Sequence, residues 1–309
     1  MALLRRLALS IVLTLAGVAS ARSEPPKVVA SIVPVHSLAA AVMEGVGAPD
    51  LLLKGGASPH GYALRPSDAT ALEGADLIFW IGPEMEGFLE KPLDTLGSGV
   101  AAVRLIDTPG LTLLPSREGG VWEPEDHDES EHEHGETDGH IWLDPANASI
   151  LAGRMAEALA AVDPGNAARY RDNATALQAR LNDLKSELTT ALEPVRTRPF
   201  IVFHDAYHYF EHAFGLAAAG SITVSPDRPP SAKRLVELRQ AIVDRGAVCV
   251  FGEPRTRTDL VATVAEESGA GTAELDAEGT ADLAPGPDAY VEMMRRLGHA
   301  VAGCLARAS

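Results

Sequence analysis

Short apolar runs rich in β-branched residues alternate along the chain with segments whose apolar positions recur every three or four residues. Runs of about four to eight apolar residues are typical of buried strands, and the three-to-four spacing is typical of helices. In the first half we predict strands at 27–33, 51–54, 77–81 and 101–106, with helices at 37–46, 67–73 and 84–96. In the second half we predict strands at 199–203, 217–223, 247–251 and 271–275, with helices at 206–214, 231–244, 259–268 and 290–305.

Strands that alternate with helices predict βαβ units and mostly parallel sheets. Because the alternation occurs twice, we expect an α/β protein with an N-terminal lobe at 22–162 and a C-terminal lobe at 196–309. One long α-helix at 163–195 would bridge the lobes, with Asp163 as N-cap and Pro164 at the first helical position. Its apolar stripe comprises Tyr170, Ala174, Leu177, Leu181, Leu184 and Leu188. A coiled-coil dimer is the alternative, but the stripe covers only about three heptads, so we expect a monomer.

The first 21 residues have the three parts of a secretory signal peptide. Arg5-Arg6 precedes an apolar run at 7–18, and Ala19-Ser20-Ala21 follows it. The run is shorter than the roughly 20 residues that span a bilayer. We therefore expect cleavage near Ala21, export to the periplasm and no stable membrane insertion; a single membrane anchor is the alternative.

The segment from Trp122 to His140 contains nine Asp or Glu residues and four His, and it contains neither Lys nor Arg. A segment of this composition cannot bury an apolar core, so we expect a mobile loop at 122–139. Imidazoles and carboxylates are ligands of zinc and similar divalent metals. We predict that His127, His132 and His134 form a secondary, low-affinity metal-binding loop.

The chain carries a net charge of -17, and without Arg5 and Arg6 it carries -19, from 24 basic and 43 acidic residues. This balance argues against nucleic acid or anionic lipid as a partner and favours the attraction of cations. The two cysteines, Cys249 and Cys304, suggest a disulfide in an exported protein. Two thiol metal ligands are the alternative.

Three histidines occupy loop or strand-end positions in the predicted lobes. His60 follows the strand at 51–54, His140 follows the acidic loop, and His204 ends the strand at 199–203. Ligands of parallel α/β sheets bind outside the carboxyl ends of the strands, so one cleft between the lobes could gather all three as metal ligands. Asp276, at the end of the last strand, is the candidate fourth ligand, with Glu274 and Glu278 as rivals.

Two further patterns near the ends of predicted helices could carry chemistry. The sequence His204-Asp205-Ala-Tyr-His208 has the ligand spacing of the zinc-protease helix, but Asp replaces its general-base Glu. We therefore expect His208 and His212 to be exposed helix residues. His36 precedes a predicted helix, and we expect it at the rim of the first lobe without a partner that the sequence identifies.

Five motifs occur in a fixed order along the chain. They are Gly-Ala-Ser-Pro-His60-Gly-Tyr-Ala-Leu-Arg-Pro-Ser-Asp68, Trp80-Ile-Gly-Pro-Glu-Met-Glu86, His140-Ile-Trp-Leu-Asp-Pro145, Phe203-His-Asp-Ala-Tyr207 and Phe251-Gly-Glu-Pro254. Together they resemble the periplasmic zinc-binding proteins of high-affinity zinc ABC importers, a ZnuA-like family of metal solute-binding proteins. The resemblance extends from about Lys27 to Cys304.

The resemblance implies two α/β lobes bridged by a long helix, with a metal held between them by His60, His140 and His204. Relatives that bind manganese or iron typically have a carboxylate at the position of His204, so this histidine favours zinc. The resemblance also places Asp276 where relatives have a liganding Asp, and it implies a disulfide between Cys249 and Cys304. Some zinc-binding members have Glu directly before the first histidine, and here that residue is Pro59.

We therefore expect a zinc-capturing protein that delivers Zn²⁺ to the membrane permease of an ABC transporter and that is not an enzyme. A manganese- or iron-binding member of the same family is one alternative. An exported zinc hydrolase is another, because three histidines with an open fourth position would suit it. Asp205 is its only plausible general base beside a ligand. A surface adhesin is a third alternative, although nothing in the chain resembles an adhesive repeat or a surface anchor.

Overall fold

The computed structural model describes residues 24–54, 56–96, 99–117, 137–223, 230–254, 258–266 and 268–307. The predicted signal peptide at 1–21 and the predicted acidic loop as far as residue 136 fall outside these ranges. His127, His132 and His134 are therefore outside the described residues, and their role stays a prediction.

The first half of the chain forms a four-stranded parallel sheet. Its elements are β1 (Val28–Ala30), α1 (Val33–Val42), β2 (Asp50–Leu51), α2 (Pro66–Glu73), β3 (Leu77–Trp80), α3 (Pro83–Thr95) and β4 (Ala101–Arg104). The strand order is β2-β1-β3-β4, so the chain moves to one side of β1 and then crosses to the other. Such a reversal opens a crevice at the carboxyl ends of β1 and β3, where ligands bind in open α/β sheets.

Two helices connect this sheet to the second half of the chain: α4 (Pro145–Val162) and α5 (Ala167–Leu192). The second half repeats the same topology, with strand order β6-β5-β7-β8 and all strands parallel. Its elements are β5 (Phe200–His204), α6 (His208–Phe214), β6 (Ala218–Thr223), α7 (Ala232–Arg245), β7 (Cys249–Gly252), α8 (Thr258–Ala265), β8 (Gly271–Glu274) and α9 (Ala289–Arg307). The predicted α/β class with two parallel sheets is confirmed.

Several boundaries differ from those predicted. Helix α1 begins at Val33, four residues before the predicted start, because Pro34 is accommodated in the first helical turn. The strand predicted at 27–33 therefore ends at Ala30. Helix α4 was not predicted at all. Nearly half of its residues are Ala or Gly, and short side chains give little contrast between a buried and an exposed face.

The predicted long helix is confirmed as α5, whose 26 residues extend about 39 Å at 1.5 Å per residue. All six residues of its predicted apolar stripe are buried. Asp163 does not cap α5, because a short 3₁₀ turn at Pro164–Asn166 lies between them. The carboxylate of Asp163 instead accepts hydrogen bonds from the side chains of Asn166 and Tyr170. The boundaries 22–162, 163–195 and 196–309 stay predictions.

Helix α5 packs against α1 and α4 from the first half of the chain and against α9 from the second. One cluster of buried apolar side chains accordingly includes Val28 in the first sheet, Leu181 in α5, Phe251 in the second sheet and Leu305 in α9. The two sheets therefore share one large core, and the second half has in addition a separate buried cluster that includes Ile201, Leu238 and Val264. Among the described helices, none combines the length and the apolar character needed to cross a bilayer.

The expected disulfide is confirmed, and it joins Cys249 in β7 to Cys304 in α9. Both cysteines are buried. The bond fixes the last helix to the second sheet and excludes the alternative in which the two thiols are metal ligands.

We expect the double variant Cys249→Ala, Cys304→Ala to lose roughly 4 kcal/mol of unfolding free energy, because the disulfide closes a loop with a sequence separation of 55. Urea denaturation of the oxidised wild type and the variant measures the difference. Equal midpoints and equal slopes would show that the bond does not stabilise the fold.

The approach of α5 and α9 depends on Gly298, since a Cβ on this residue would lie 2.5 Å from Cδ2 of buried Leu188. We expect Gly298→Ala to destabilise the protein by about 1–2 kcal/mol, because crowding outweighs the helix propensity of alanine. Gly303→Ala is the matched control on the same helix, where the nearest atom is Nη2 of Arg307 at 3.8 Å. It should stabilise the protein by about 0.5–1 kcal/mol in urea denaturation, and the opposite ranking would refute this packing argument.

Candidate metal centre

Three histidines that are distant in sequence lie together between the two sheets. Each of His60, His140 and His204 offers a ligand atom, and these atoms all lie within 4.8 Å of one another. The ring centroids are 5.4 Å apart for His60 and His140, 5.7 Å for His60 and His204, and 5.4 Å for His140 and His204. His140 and His204 are buried, whereas His60 is exposed.

Each histidine is placed by a different local structure. His204 is the last residue of β5, at the carboxyl end of the second sheet. His140 directly precedes a 3₁₀ turn at Ile141–Leu143, and the chain then enters α4, whose N-cap Asp144 accepts a hydrogen bond from the backbone N–H of Ala146. His60 lies between β2 and α2, and its backbone N–H donates to Oγ of Ser58.

Contacts between the two halves fix the neighbourhood of His140. Trp142 lies beside the His140 ring, with centroids 5.3 Å apart, and its indole Nε1 donates to the carbonyl of Ala277 at 2.8 Å. The hydroxyl of Tyr290 donates to the carbonyl of Trp142 at 2.6 Å. A histidine from the first half is thus held in place by residues of the second.

Carboxylates contact one nitrogen of each buried ring. Nδ1 of His140 lies 2.7 Å from Oδ1 of Asp138, and Nδ1 of His204 lies 2.6 Å from Oε1 of Glu253. The Nε2 atoms of both rings are buried and have no hydrogen-bond partner among the described residues. Buried polar atoms are almost always satisfied, so two such imidazole nitrogens within one cluster of ligand atoms fit a site for a divalent metal ion.

The electrostatic environment differs between the histidines. Although His60 is exposed as a whole residue, its ring lies against the His140 and His204 rings. This burial of the ring lowers the pKa of His60 to about 2, and repulsion from the other two imidazoles adds to the effect. Burial also opposes the charged form of His204, but the neighbouring Glu253 carboxylate outweighs it and raises the pKa of His204. For Asp138 burial is outweighed by His140, which lowers the pKa of this carboxyl group. His60 therefore stays neutral and available as a ligand over a wide pH range.

Asp276 is not part of the group of atoms within 4.8 Å. Its carboxylate accepts hydrogen bonds from the backbone N–H groups of Glu278 at 3.2 Å and Ala281 at 2.9 Å. Of its rivals, Glu274 is exposed, whereas Glu278 is half-buried and lies close enough to His204 to raise the pKa of that imidazole. The assignment of Asp276 as fourth ligand stays a prediction.

The other histidines among the described residues lie outside the cluster. The expectation that His208 is exposed is wrong, because the residue is only 9% exposed. Leu114 and Arg117 contact the α6 residues Tyr209 and Glu211 beside it. His212 is exposed as expected. His36 is buried, and its Nε2 lies 3.0 Å from the carbonyl oxygen of Pro49, a partner that the sequence pattern could not identify.

Arg117 connects the two halves beside the histidine cluster. Its guanidinium donates to both carboxylate oxygens of Asp205 and to both of Glu211. The side chains of Asp205 and Glu211 are only 6% and 5% exposed. Asp205, which directly follows His204, is therefore held by a cation and does not have the open carboxylate that a general base needs.

Sequence reasoning missed Asp138 and Glu253 as members of the site. Asp138 was assigned to the mobile loop, yet it is ordered and only 5% exposed. Glu253 belongs to the motif Phe251-Gly-Glu-Pro254, but the motif alone does not indicate what the Glu253 carboxylate contacts. A signal was present, since carboxylates often hydrogen-bond to metal-binding histidines, but only the fold brings Glu253 to His204.

Sequence comparisons relate this chain to known zinc-uptake proteins. The sequence profile of the ZnuA family, described as zinc-uptake complex component A, periplasmic, matches residues 28–304. The high-affinity zinc uptake system protein ZnuA of Brucella suis biovar 1 (strain 1330) is 46% identical over 315 residues, which cover 93% of this chain and 94% of that protein. The protein of the same name from Yersinia pestis is 37% identical over 296 residues, covering 90% and 91%.

A solved structure supports the same relationship. A crystal structure of ZnuA superposes with a TM-score of 0.76 at 26% identity, covering 91% of this chain and 99% of that one. The profile and the relatives extend over nearly the whole described chain, including all three clustered histidines. The chain therefore belongs to the ZnuA family of periplasmic zinc-uptake components.

Proposed function

We propose that this protein captures Zn²⁺ in the periplasm and delivers it to the membrane permease of a zinc ABC transporter. The observation that carries the proposal is the convergence of three imidazoles from separate parts of the chain. Two of them have buried Nε2 atoms for which the described residues offer no hydrogen-bond partner. Zn²⁺ is held by nitrogen ligands at about 2.0–2.1 Å, and the His60, His140 and His204 rings can reach one ion by small side-chain rotations.

The donor set favours zinc over manganese or iron as the cargo. The three clustered ligand atoms are all imidazole nitrogens. Imidazole suits zinc, whereas manganese prefers carboxylate, carbonyl or water oxygen. The relatives named above carry the name of a zinc uptake protein, which supports the same choice. Either Asp276 or a water molecule completes the shell.

The engagement of Asp205 supports a role in binding rather than catalysis. This residue was the general base of the hydrolase alternative, and its carboxylate is engaged by Arg117. Burial raises the pKa of Asp205, and the Arg117 cation opposes that rise. We propose that the protein is not an enzyme and that the ion is cargo.

Delivery requires export and a membrane partner. We propose that the signal peptide is cleaved near Ala21 and that the mature protein acts as a periplasmic monomer. The family description names a component of a periplasmic zinc-uptake complex, which supports a permease partner. We further propose that His127, His132 and His134 provide secondary, low-affinity sites that raise the local concentration of Zn²⁺.

We expect His204→Ala to weaken Zn²⁺ binding by a factor on the order of 100 or more, because one of three nitrogen ligands is lost. His212→Ala is the matched control, since this exposed residue is eight positions later in α6 and outside the cluster. Competition titration against a chelating dye measures both affinities. Equal affinity of His204→Ala and the wild type would refute the site.

We expect removal of residues 123–136 to reduce the number of bound Zn²⁺ ions while one tight site remains. The deletion ends before Thr137 because Asp138 contacts His140. Metal analysis and competition titration of the shortened protein test this division of roles. Loss of the tight site would contradict this division of roles. An unchanged number of bound Zn²⁺ ions would show that the loop histidines do not bind the metal.

A further inference from the structure

Asp138 and Glu253 contact the two buried histidines in the same way. In both pairs a carboxylate oxygen lies at hydrogen-bond distance from Nδ1, 2.7 Å for Asp138 and His140 and 2.6 Å for Glu253 and His204. An ionised carboxylate can only accept hydrogen bonds. The hydrogen of each neutral ring must therefore be on Nδ1, which leaves the lone pair on Nε2.

The opposite nitrogen of each ring agrees with this assignment. The Nε2 atoms of His140 and His204 are buried and have no partner among the described residues. A hydrogen on Nε2 would be a buried donor without an acceptor, whereas a lone pair there can bind a cation. Both rings therefore present a coordinating atom to the cavity before any ion binds.

The two carboxylates are themselves held in place. Asp138 also accepts the backbone N–H of His140 at 3.0 Å, and its carbonyl accepts the hydroxyl of Tyr209 at 2.9 Å. Oε1 of Glu253 lies 3.1 Å from the hydroxyl of Tyr207. Asp138 is 5% exposed and Glu253 is 8% exposed. Neither side chain is free to rotate away from its histidine.

Tyr207 and Tyr209 both belong to the segment that leads from His204 into α6. Tyr209 crosses to the first half of the chain, where its hydroxyl also accepts the backbone N–H of Leu114 at 3.0 Å. The orientation of His140 thus depends on contacts from the second half. His60 differs, since no hydrogen bond to its ring is found within the described ranges.

We propose that Asp138 and Glu253 are positioning residues for Zn²⁺, which fix the Nδ1–H tautomer and the ring orientation of His140 and His204 in the metal-free protein. The His140 and His204 rings are then already oriented for the metal before it binds, and His60 is the ligand that completes the site. This proposal rests on the proposed function, because it assigns the residues that prepare the site for its cargo.

The first test is the side-chain ¹⁵N spectrum of the metal-free wild type, recorded over a pH series that continues until both rings are neutral, because the pKa of His204 is raised above that of free imidazole, about 6.5. Long-range ¹H–¹⁵N correlations distinguish a protonated ring nitrogen from one with a lone pair. We expect His140 and His204 each to be a single Nδ1–H tautomer. An Nε2–H tautomer or a mixture of tautomers in either ring would overturn the proposal.

The second test compares Asp138→Asn and Glu253→Gln with Asp163→Asn. The amides keep the size of each side chain but remove its charge, and we expect Zn²⁺ affinity to fall about 10- to 100-fold in each. Asp163 is also buried and hydrogen-bonded, yet it lies at the turn between α4 and α5, so Asp163→Asn should bind as the wild type does. Wild-type affinity in Asp138→Asn or Glu253→Gln would overturn the proposal.

The two tests separate this inference from the proposed function. If the wild type does not bind Zn²⁺ tightly, the proposed function fails, and the spectrum of the metal-free protein still decides the tautomers. If the wild type binds Zn²⁺ tightly but the tautomers are not fixed, the positioning role fails and zinc capture stands. Urea denaturation of each variant identifies any loss of affinity that comes from unfolding.

Discussion

The burial of two imidazoles whose coordinating nitrogens remain open is the constraint on which the rest of the structure depends. A buried polar atom without a partner costs about 1–3 kcal/mol, and within the described part of the chain His140 and His204 each have one such atom, Nε2. The metal-free fold must tolerate this penalty through its shared core and its disulfide. A bound cation removes the penalty, so binding also stabilises the folded state.

The two sheets have the same strand order but use their crevices differently. Between β1 and β3, Glu86 accepts hydrogen bonds from Ser31 and from the backbone N–H groups of Ile81 and Gly82. Burial raises the pKa of Glu86 to about 7, although these hydrogen bonds oppose the shift. Between β5 and β7, the corresponding place holds His204 and Glu253. In the first half the Glu86 side chain fills the crevice, and the two clustered histidines, His60 and His140, come from loops instead.

Contacts between the halves limit how far the site can open. Trp142 forms hydrogen bonds with Ala277 and Tyr290. Arg117 forms salt bridges with Asp205 and Glu211. The long helix α5 also packs against helices from both halves. Because breaking these buried contacts would expose apolar surface and unpaired charge, exchange of an ion is better served by local movement than by wide separation of the lobes. His60 is the exposed histidine of the proposed site, so its movement would cost least.

The sequence by itself determined the parallel α/β class, the long helix and the three histidines, since hydrophobic periodicity and the residue types near strand ends are local properties of the chain. It could not determine the burial of His208, the partner of His36 or the existence of α4, because these depend on what packs against each segment. Asp138 and Glu253 show the limit most clearly. Asp138 is two residues from its histidine but appeared to belong to a solvated loop, and Glu253 is 49 residues from His204. Only the tertiary structure brings a buried carboxylate against each ring. Glu253 reaches His204 because β5 and β7 pair in the second sheet, and Asp138 is buried where Tyr209 from the second half of the chain holds it.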